Sequence, residues 1–171
     1  MKIALGADHR GYRAKANIKA ILLDMKQNVV DYGTDSTKAM DYPDPAFAAA
    51  KAVQSGECDL GVLFCGTGIG MSITANKLRG IRAALCHDEL TAEMARRHNN
   101  ANILCLPADL VGDALMRRIV EVWMKTPYEG GRHERRVQKI RDIEVSQCDG
   151  RLSVEDVGPS SCDNGINDRP R

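Results

Sequence analysis

A cysteine followed closely by three glycines stands near the middle of the chain, in the stretch LFCGTGIGMS at positions 63–72. Glycines let the backbone approach a ligand closely, and consecutive N–H groups can form a concave anion site. Cys65 precedes the glycines, and a thiol beside backbone donors at the start of a helix is favoured as the thiolate, a base or nucleophile. The alternatives are a tight strand-to-helix turn without a ligand and a buried cysteine that packs as a small apolar residue.

A nucleotide loop is the weaker interpretation of the same stretch. The spacing is G-x-G-x-G instead of G-x-G-x-x-G, and it follows the third predicted strand instead of the first. Asp8, at the end of the first strand, would repel a pyrophosphate, although Asp88 lies about twenty residues after the glycines as an acid that could bind a ribose. Dinucleotide binding is therefore disfavoured.

Two further groups of side chains could act on an anion. His98 ends a predicted helix, where a protonated histidine is favoured, so it could donate a proton or cap the helix. Arg132 and Arg136 are four residues apart on one helix face, which suits either an anion between them or a solvated basic helix. Aromatic residues do not interleave with this basic region, so nucleic acid is not an expected partner. The spacing of the His, Cys and Asp residues predicts no metal site.

Strands and helices alternate along the chain, and the central strands are mostly apolar. This pattern predicts an α/β fold, a doubly wound five-stranded parallel sheet of Rossmann-like or flavodoxin-like type in a three-layer sandwich. The predicted strands are 2–7, 28–32, 59–64, 81–86 and 102–106, and helices fill the intervals up to about residue 144. With strand order 2-1-3-4-5 the ligand site lies between strands one and three, so the loop that starts at Asp8 should face the loop that starts at Cys65.

Composition bounds the class of protein. The length of 171 residues suits one domain. The formal net charge of +1 gives no overall field that would attract nucleic acid or a membrane. Charge comes too early for a signal peptide, so we expect a cytoplasmic protein whose thiols are reduced. The six cysteines form no C-x-x-C pair, which disfavours a zinc ribbon or a thioredoxin motif. We predict a domain over 1–144 and, because residues 145–171 are polar and lack an apolar period, a mobile tail.

Further motifs occur in order along the first 144 residues. They are ADHRG (7–11), DYPD (41–44), CGTGIG (65–70), ANK (75–77), GIRA (80–83), HNNAN (98–102) and EGGRH (129–133). Together they resemble the type B ribose-5-phosphate isomerases, whose wider family includes the galactose-6-phosphate isomerase subunits.

This resemblance implies interconversion of ribose 5-phosphate and ribulose 5-phosphate through an enediolate, without a metal or organic cofactor. It implies that Cys65 is the base that moves a proton between C2 and C1, that His98 helps to open the furanose ring, and that Thr67 lies beside the intermediate. The backbone that would hold the enediolate comprises Gly66, Thr67, Gly68, Ile69 and Gly70. The implied substrate contacts are Asp8, His9, Tyr42, Asn99, Arg132 and Arg136, with His9 and the arginines towards the phosphate. The resemblance also implies a homodimer, or in some members a tetramer, with the site shared across the interface.

One residue departs from the family pattern. Relatives often carry an arginine in the loop after the fifth strand, as another phosphate contact, whereas this chain has Asp109 there. An acid that pointed inward would repel a phosphate, and Arg117, Arg118 and Arg135 are the candidates to compensate. The departure keeps two alternatives open: another substrate, such as allose 6-phosphate, galactose 6-phosphate or a tetrulose phosphate, and a non-catalytic sugar-phosphate sensor.

Overall fold

Five parallel strands form the centre of the molecule in the computed structural model, which describes residues 1–148. The strands are β1 (Lys2–Ala7), β2 (Asn28–Asp31), β3 (Leu60–Cys65), β4 (Ala83–Leu85) and β5 (Ile103–Pro107). The helices are α1 (Tyr12–Asp24), α2 (Pro43–Gln54), α3 (Ile69–Ala75), α4 (Glu89–Asn99), α5 (Asp113–Lys125) and α6 (Arg132–Cys148). The predicted doubly wound α/β fold is confirmed.

The strand order is β2-β1-β3-β5-β4, so the order 2-1-3-4-5 assumed above is wrong in its last two positions. All five residues of β5 are buried, whereas β4 has only three residues and all are half-buried. A short, partly exposed strand belongs at a sheet edge, and a fully buried one in the interior. Strands β1 and β3 remain neighbours, as the predicted site requires, but β5 now lies beside β3.

Apolar side chains cover both faces of the sheet. One core cluster joins the sheet to α1, α4 and α5 through residues such as Ile18, Ala95 and Trp123. The second joins it to α2 and α3 through alanines and Met71. Since both faces are buried, ligands can reach the sheet only at the ends of its strands.

Helix α6 is positioned by the turn that precedes it. Gly130 and Gly131 both have a positive φ, of 65° and 57°, which glycine adopts without the penalty of a Cβ. His133 and Val137 are buried and fix the first turns of α6. The helix continues four residues past its predicted end at 144, and residues 149–171, most of the predicted tail, lie outside the described part of the chain. Between residues 1 and 148, no helix has the length and apolarity to cross a membrane.

Candidate functional site

The loops after β1, β3 and β5 meet at the carboxyl edge of the sheet, and Tyr42, from the segment before α2, joins them. These residues are called the loop cluster: Asp8, His9, Arg10, Tyr42, Cys65–Gly70 and Asp109. The loop after β1 lies against the end of β3, because a Cβ on Gly11 would come within 2.5 Å of the carbonyl oxygen of Phe64. The loop after β5 is tied to the glycine loop by hydrogen bonds from Ala108 N–H to Cys65 O (2.8 Å) and from Asp109 N–H to Gly66 O (3.0 Å). The predicted meeting of the first and third loops is confirmed.

The sulfur of Cys65 faces the backbone of this loop. The N–H of Gly68 donates to Cys65 Sγ at 3.1 Å, and the cysteine is only 4% exposed. Gly68 has φ +74°, and a Cβ there would collide with Leu85, so the turn that aims this N–H at the sulfur requires glycine.

The other cysteines of residues 1–147 have a different environment. Cys58, Cys86 and Cys105 are buried, and burial raises the pKa of each thiol, that of Cys86 to about 11. Burial of this kind keeps a thiol protonated and unreactive near neutral pH. Position at the strand end, with a backbone donor on the sulfur, distinguishes Cys65 from these three.

Asp8, His9 and Tyr42, the predicted substrate contacts of the loop cluster, each have a contact that fixes them. Asp8 is buried and accepts hydrogen bonds from the N–H groups of Arg10 (2.9 Å) and Gly11 (3.0 Å), which fixes the loop after β1. His9 Nδ1 lies 3.2 Å from both the nitrogen and the oxygen of Met40, so either ring tautomer finds a partner. The ring of Tyr42 covers Gly70, where a Cβ would come within 2.5 Å of it.

Thr67 and Ile69 lie on the open side of the loop and are exposed. The N–H of Ile69 is 3.4 Å from Thr67 Oγ1, a long hydrogen bond. Helix α3 begins at Ile69 and has only seven residues, so it does not fill the interval between the third and fourth strands. The backbone N–H groups of the loop, and not a long helix, therefore supply most of the positive potential at this point.

Asp109 is paired with Arg10, a contact that the sequence did not reveal. Arg10 Nε donates to Asp109 Oδ2 at 2.6 Å, and Arg10 Nη2 contacts the same oxygen. Two of the arginines that could have compensated for Asp109 are engaged elsewhere: Arg117 pairs with Glu121 within α5, and Arg118 pairs with Glu89 of α4. The acid at position 109 is thus neutralised by a residue from the loop after β1.

The remaining predicted residues form a second group, called the helix-end cluster: His98, Asn99, Glu129, Arg132, His133 and Arg136. His98 and Asn99 end α4, whose last carbonyls accept hydrogen bonds from the guanidinium of Arg82. Arg132 and Arg136 lie on the exposed side of α6, opposite the buried His133 and Val137. Two side chains here, Glu129 and His133, were not predicted as site residues, although EGGRH was among the motifs.

The rings of His98 and His133 stack in parallel, with centroids 4.1 Å apart and 5° between their planes. Burial, then the neighbouring His98, lowers the pKa of His133. Glu129 lies 4.0 Å from a nitrogen of each ring, and its hydrogen bond from Arg97 lowers the pKa of its carboxyl group. The lowered pKa favours the neutral form of His133, and the carboxylate of Glu129 lies beside both rings.

His98, Glu129 and His133 also offer ligand atoms that lie within 4.8 Å of one another, a constellation that sequence spacing did not predict. A metal ion binds imidazole at about 2.0–2.1 Å along the lone pair in the ring plane. Two parallel rings 4.1 Å apart cannot both hold one ion in their planes. The stacked arrangement therefore fits a metal poorly.

The two clusters lie at opposite edges of the sheet. Cys65 is paired with Pro107 at the carboxyl end of β5, whereas Asn99 precedes Ile103, where β5 begins. A strand rises about 3.3 Å per residue, so β5 alone separates the clusters by roughly 13 Å. Within one chain, Cys65 and His98 do not form a common site.

The chain matches the family of ribose/galactose isomerases over residues 3–140. It is 46% identical to ribose-5-phosphate isomerase B of Escherichia coli over 143 residues, which are 84% of this chain and 96% of the relative. It is 42% identical to D-erythrulose-4-phosphate isomerase of Pectobacterium atrosepticum over 141 residues, 82% and 93% of the two chains. The structure of Clostridium thermocellum ribose-5-phosphate isomerase B superimposes with a TM-score of 0.85 at 48% identity, covering 86% of this chain and 99% of the other. The chain belongs to the ribose/galactose isomerase family.

Proposed function

We propose that the protein interconverts ribose 5-phosphate and ribulose 5-phosphate. The observation that carries the proposal is the position of Cys65 at the end of β3, with the Gly68 N–H on its sulfur and the other loop N–H groups beside it. An aldose–ketose shift needs one base that takes and returns a proton, next to donors that stabilise negative charge on oxygen. The loop cluster supplies both in a sheltered position at the strand ends.

The proposed reaction begins with the open-chain aldose. The Cys65 thiolate takes the proton from C2, and the electrons of that C–H bond form the C1–C2 double bond of the enediolate. The N–H groups from Gly66 to Gly70, with Thr67, stabilise the charge on the enediolate oxygens. A proton passes from the C2 hydroxyl to the C1 oxygen, and the cysteine returns its own proton to C1, which leaves a carbonyl at C2 and a hydroxyl at C1. The steps move protons only, so they require no redox cofactor.

We further propose that a second copy of the chain completes each site. His98, Asn99, Arg132 and Arg136 cannot reach Cys65 of their own chain, because β5 lies between the clusters. Several large apolar side chains near the two clusters are exposed. Phe47 on α2 and Ile69 and Ile73 on α3 are each more than half exposed, and Ile140 and Ile143 are exposed on α6. Such side chains near a functional surface suit an interface between copies. A homodimer with His98 of one copy beside Cys65 of the other would join ring opening to proton transfer.

A different sugar phosphate is the second candidate, because the relative from Pectobacterium atrosepticum is an isomerase of erythrulose 4-phosphate. A panel of ribose 5-phosphate, allose 6-phosphate, galactose 6-phosphate and erythrulose 4-phosphate, compared by kcat/KM, tests both candidates. We expect the highest value for ribose 5-phosphate. Absence of turnover with every sugar phosphate would contradict the proposed activity and favour a sensor. The cytoplasmic location remains a prediction from the sequence.

The role of Cys65 has its own test. Replacement of a general base reduces turnover by about 10²–10⁴-fold, so Cys65→Ala should do so while the protein still binds the sugar phosphate. Cys58→Ala is the matched control, because Cys58 is equally buried but lies before the amino end of β3. Normal turnover by Cys65→Ala would show that the cysteine is not the base.

A further inference from the structure

The pair formed by Arg10 and Asp109 lies on the rim of the glycine loop, directly over Gly66. A Cβ on Gly66 would come within 2.7 Å of Arg10 Nε and would also collide with Asp109 Oδ2. Gly66 follows Cys65 in the chain, so the guanidinium and the carboxylate lie against the residue next to the proposed base. The absence of a side chain at position 66 leaves room for this pair.

Both partners are held in place by the loops that form the site. The backbone N–H of Arg10 donates to the buried carboxylate of Asp8, and the N–H of Asp109 donates to Gly66 O. The carboxylate of Asp109 then fixes the guanidinium through Nε and Nη2. A long, flexible side chain is in this way ordered before any substrate arrives.

The ordered guanidinium retains donors for a ligand. An arginine side chain has five N–H groups, and the contacts with Asp109 leave the two on Nη1 and one on Nη2 for another acceptor. The side chains of Arg10 and Asp109 are 59% and 36% exposed, so an anion can reach them. An ion pair this exposed contributes little to stability, which leaves its position at the site as the feature to explain.

We propose that Arg10 binds the phosphate of the substrate and that Asp109 is a positioning residue that orients Arg10. This inference rests on the proposed function. The phosphate of an open-chain pentose is five bonds from the C2 atom that Cys65 deprotonates, so a ligand on the rim suits it better than one in the loop. Planar guanidinium groups bind phosphate through paired hydrogen bonds.

The expected effects fall on binding. Arg10→Ala should raise the KM for ribose 5-phosphate and the inhibition constant of inorganic phosphate about tenfold or more, with a small change in kcat. Asp109→Asn should raise the KM and the inhibition constant by less, since the amide still accepts a hydrogen bond from Arg10 but carries no charge. Arg118→Ala is the control, because Arg118 forms a similarly exposed ion pair that joins α5 to α4.

The double variant Arg10→Ala/Asp109→Arg provides the sharpest test, because it moves the guanidinium from the loop after β1 to the loop after β5. Recovery of most of the lost phosphate affinity would support a requirement for a guanidinium at this rim. No recovery, or an Arg10→Ala protein whose phosphate affinity stays within about twofold of wild type, would overturn the proposal. Calorimetric titration with inorganic phosphate gives this answer without turnover, so a wrong substrate assignment is distinguishable from a wrong role for Arg10.

Discussion

The loop cluster and the helix-end cluster, at opposite edges of one sheet, are built in different ways. In the loop cluster, backbone groups of three loops bond to one another, and Asp8 and Cys65 are almost fully buried. The helix-end cluster places exposed side chains, among them Arg132 and Arg136, around the buried ring of His133. The first is ordered by its own chain, and the second presents charge outward.

The difference suits two clusters that contribute different steps of one reaction. Stabilising an enediolate requires donors fixed before the reaction, which backbone N–H groups in a tight loop supply. Attraction of a phosphate and ring opening require cations and a protonatable ring, and these can come from a second surface that closes over the first. We therefore regard each cluster as half of a site, and the predictions below test this.

The largest effect is expected from combining defects in the two halves. Cys65→Ala and His98→Ala should each be nearly inactive as homodimers. A mixed dimer, isolated by two different tags, has one site with both defects and one site with none, so it should recover about half of wild-type turnover.

The matched control for this experiment pairs Cys65→Ala with Asp8→Ala. Both defects then lie in the loop cluster, so neither site of the mixed dimer has an intact loop, and activity should stay low. Equal recovery in both mixed dimers, or none in the first, would mean that the clusters do not act across an interface.

The next largest effect concerns the glycine turn. Gly68→Ala and Gly80→Ala both place an alanine at a positive φ, near +74° and +78°, which costs about 1–2 kcal/mol each. At Gly80 the Cβ has open space, whereas at Gly68 it collides with Leu85 and displaces the N–H that faces Cys65. In urea unfolding, the backbone strain should lower the free energy of unfolding by a similar amount in both variants, and the collision should lower it further in Gly68→Ala. Only Gly68→Ala should lose turnover. Normal kcat for Gly68→Ala would show that the loop geometry is not required.

The sequence predicted the loop cluster better than the helix-end cluster, for a physical reason. Alternation of strands and helices makes the strands parallel, so the carboxyl ends of β1 and β3 lie at one edge of the sheet. The proximity of Asp8 and Cys65 therefore follows from topology. The same topology places His98 at the opposite edge, because α4 runs from the carboxyl end of β4 back to the amino end of β5. The motif that contains His98 does not by itself show that it lies far from Cys65.

The pair of Arg10 with Asp109 was missed because it depends on strand order. With β4 beside β3, the loop after β5 would be too far from Gly66 to meet Arg10. Strand β4 is short and only half-buried, which suits the edge, but the apolar stretch 81–86 predicted a strand as long as its neighbours and gave no sign of this. A charge reversal at position 109, seen alone, predicted repulsion; the structure shows that its partner comes from a loop 99 residues earlier.

A smaller effect is expected from the cations of the helix-end cluster. Arg132→Ala and Arg136→Ala should each raise KM about tenfold, because each removes a charged hydrogen-bond donor for the phosphate, and kcat should change less. Arg117 is an exposed arginine paired with Glu121 on α5, so Arg117→Ala is the control and should leave KM unchanged. Unaltered KM in both α6 variants would restrict phosphate binding to the loop cluster.

The smallest expected effect is on the pH dependence of stability, through His133. Its pKa lies below the ordinary value of 6.5, because burial and then the charges of His98 and Arg132 disfavour its protonation in the folded state. The unfolded chain therefore binds a proton more readily as the pH falls through 6.5, and the folded state loses stability there. His133→Gln removes this titration, so its urea midpoint should fall less than that of wild type between pH 7.5 and about pH 5.5. A parallel decrease in both proteins would mean that the proton is bound elsewhere, and that the ring stacked on His98 is not held neutral by its burial.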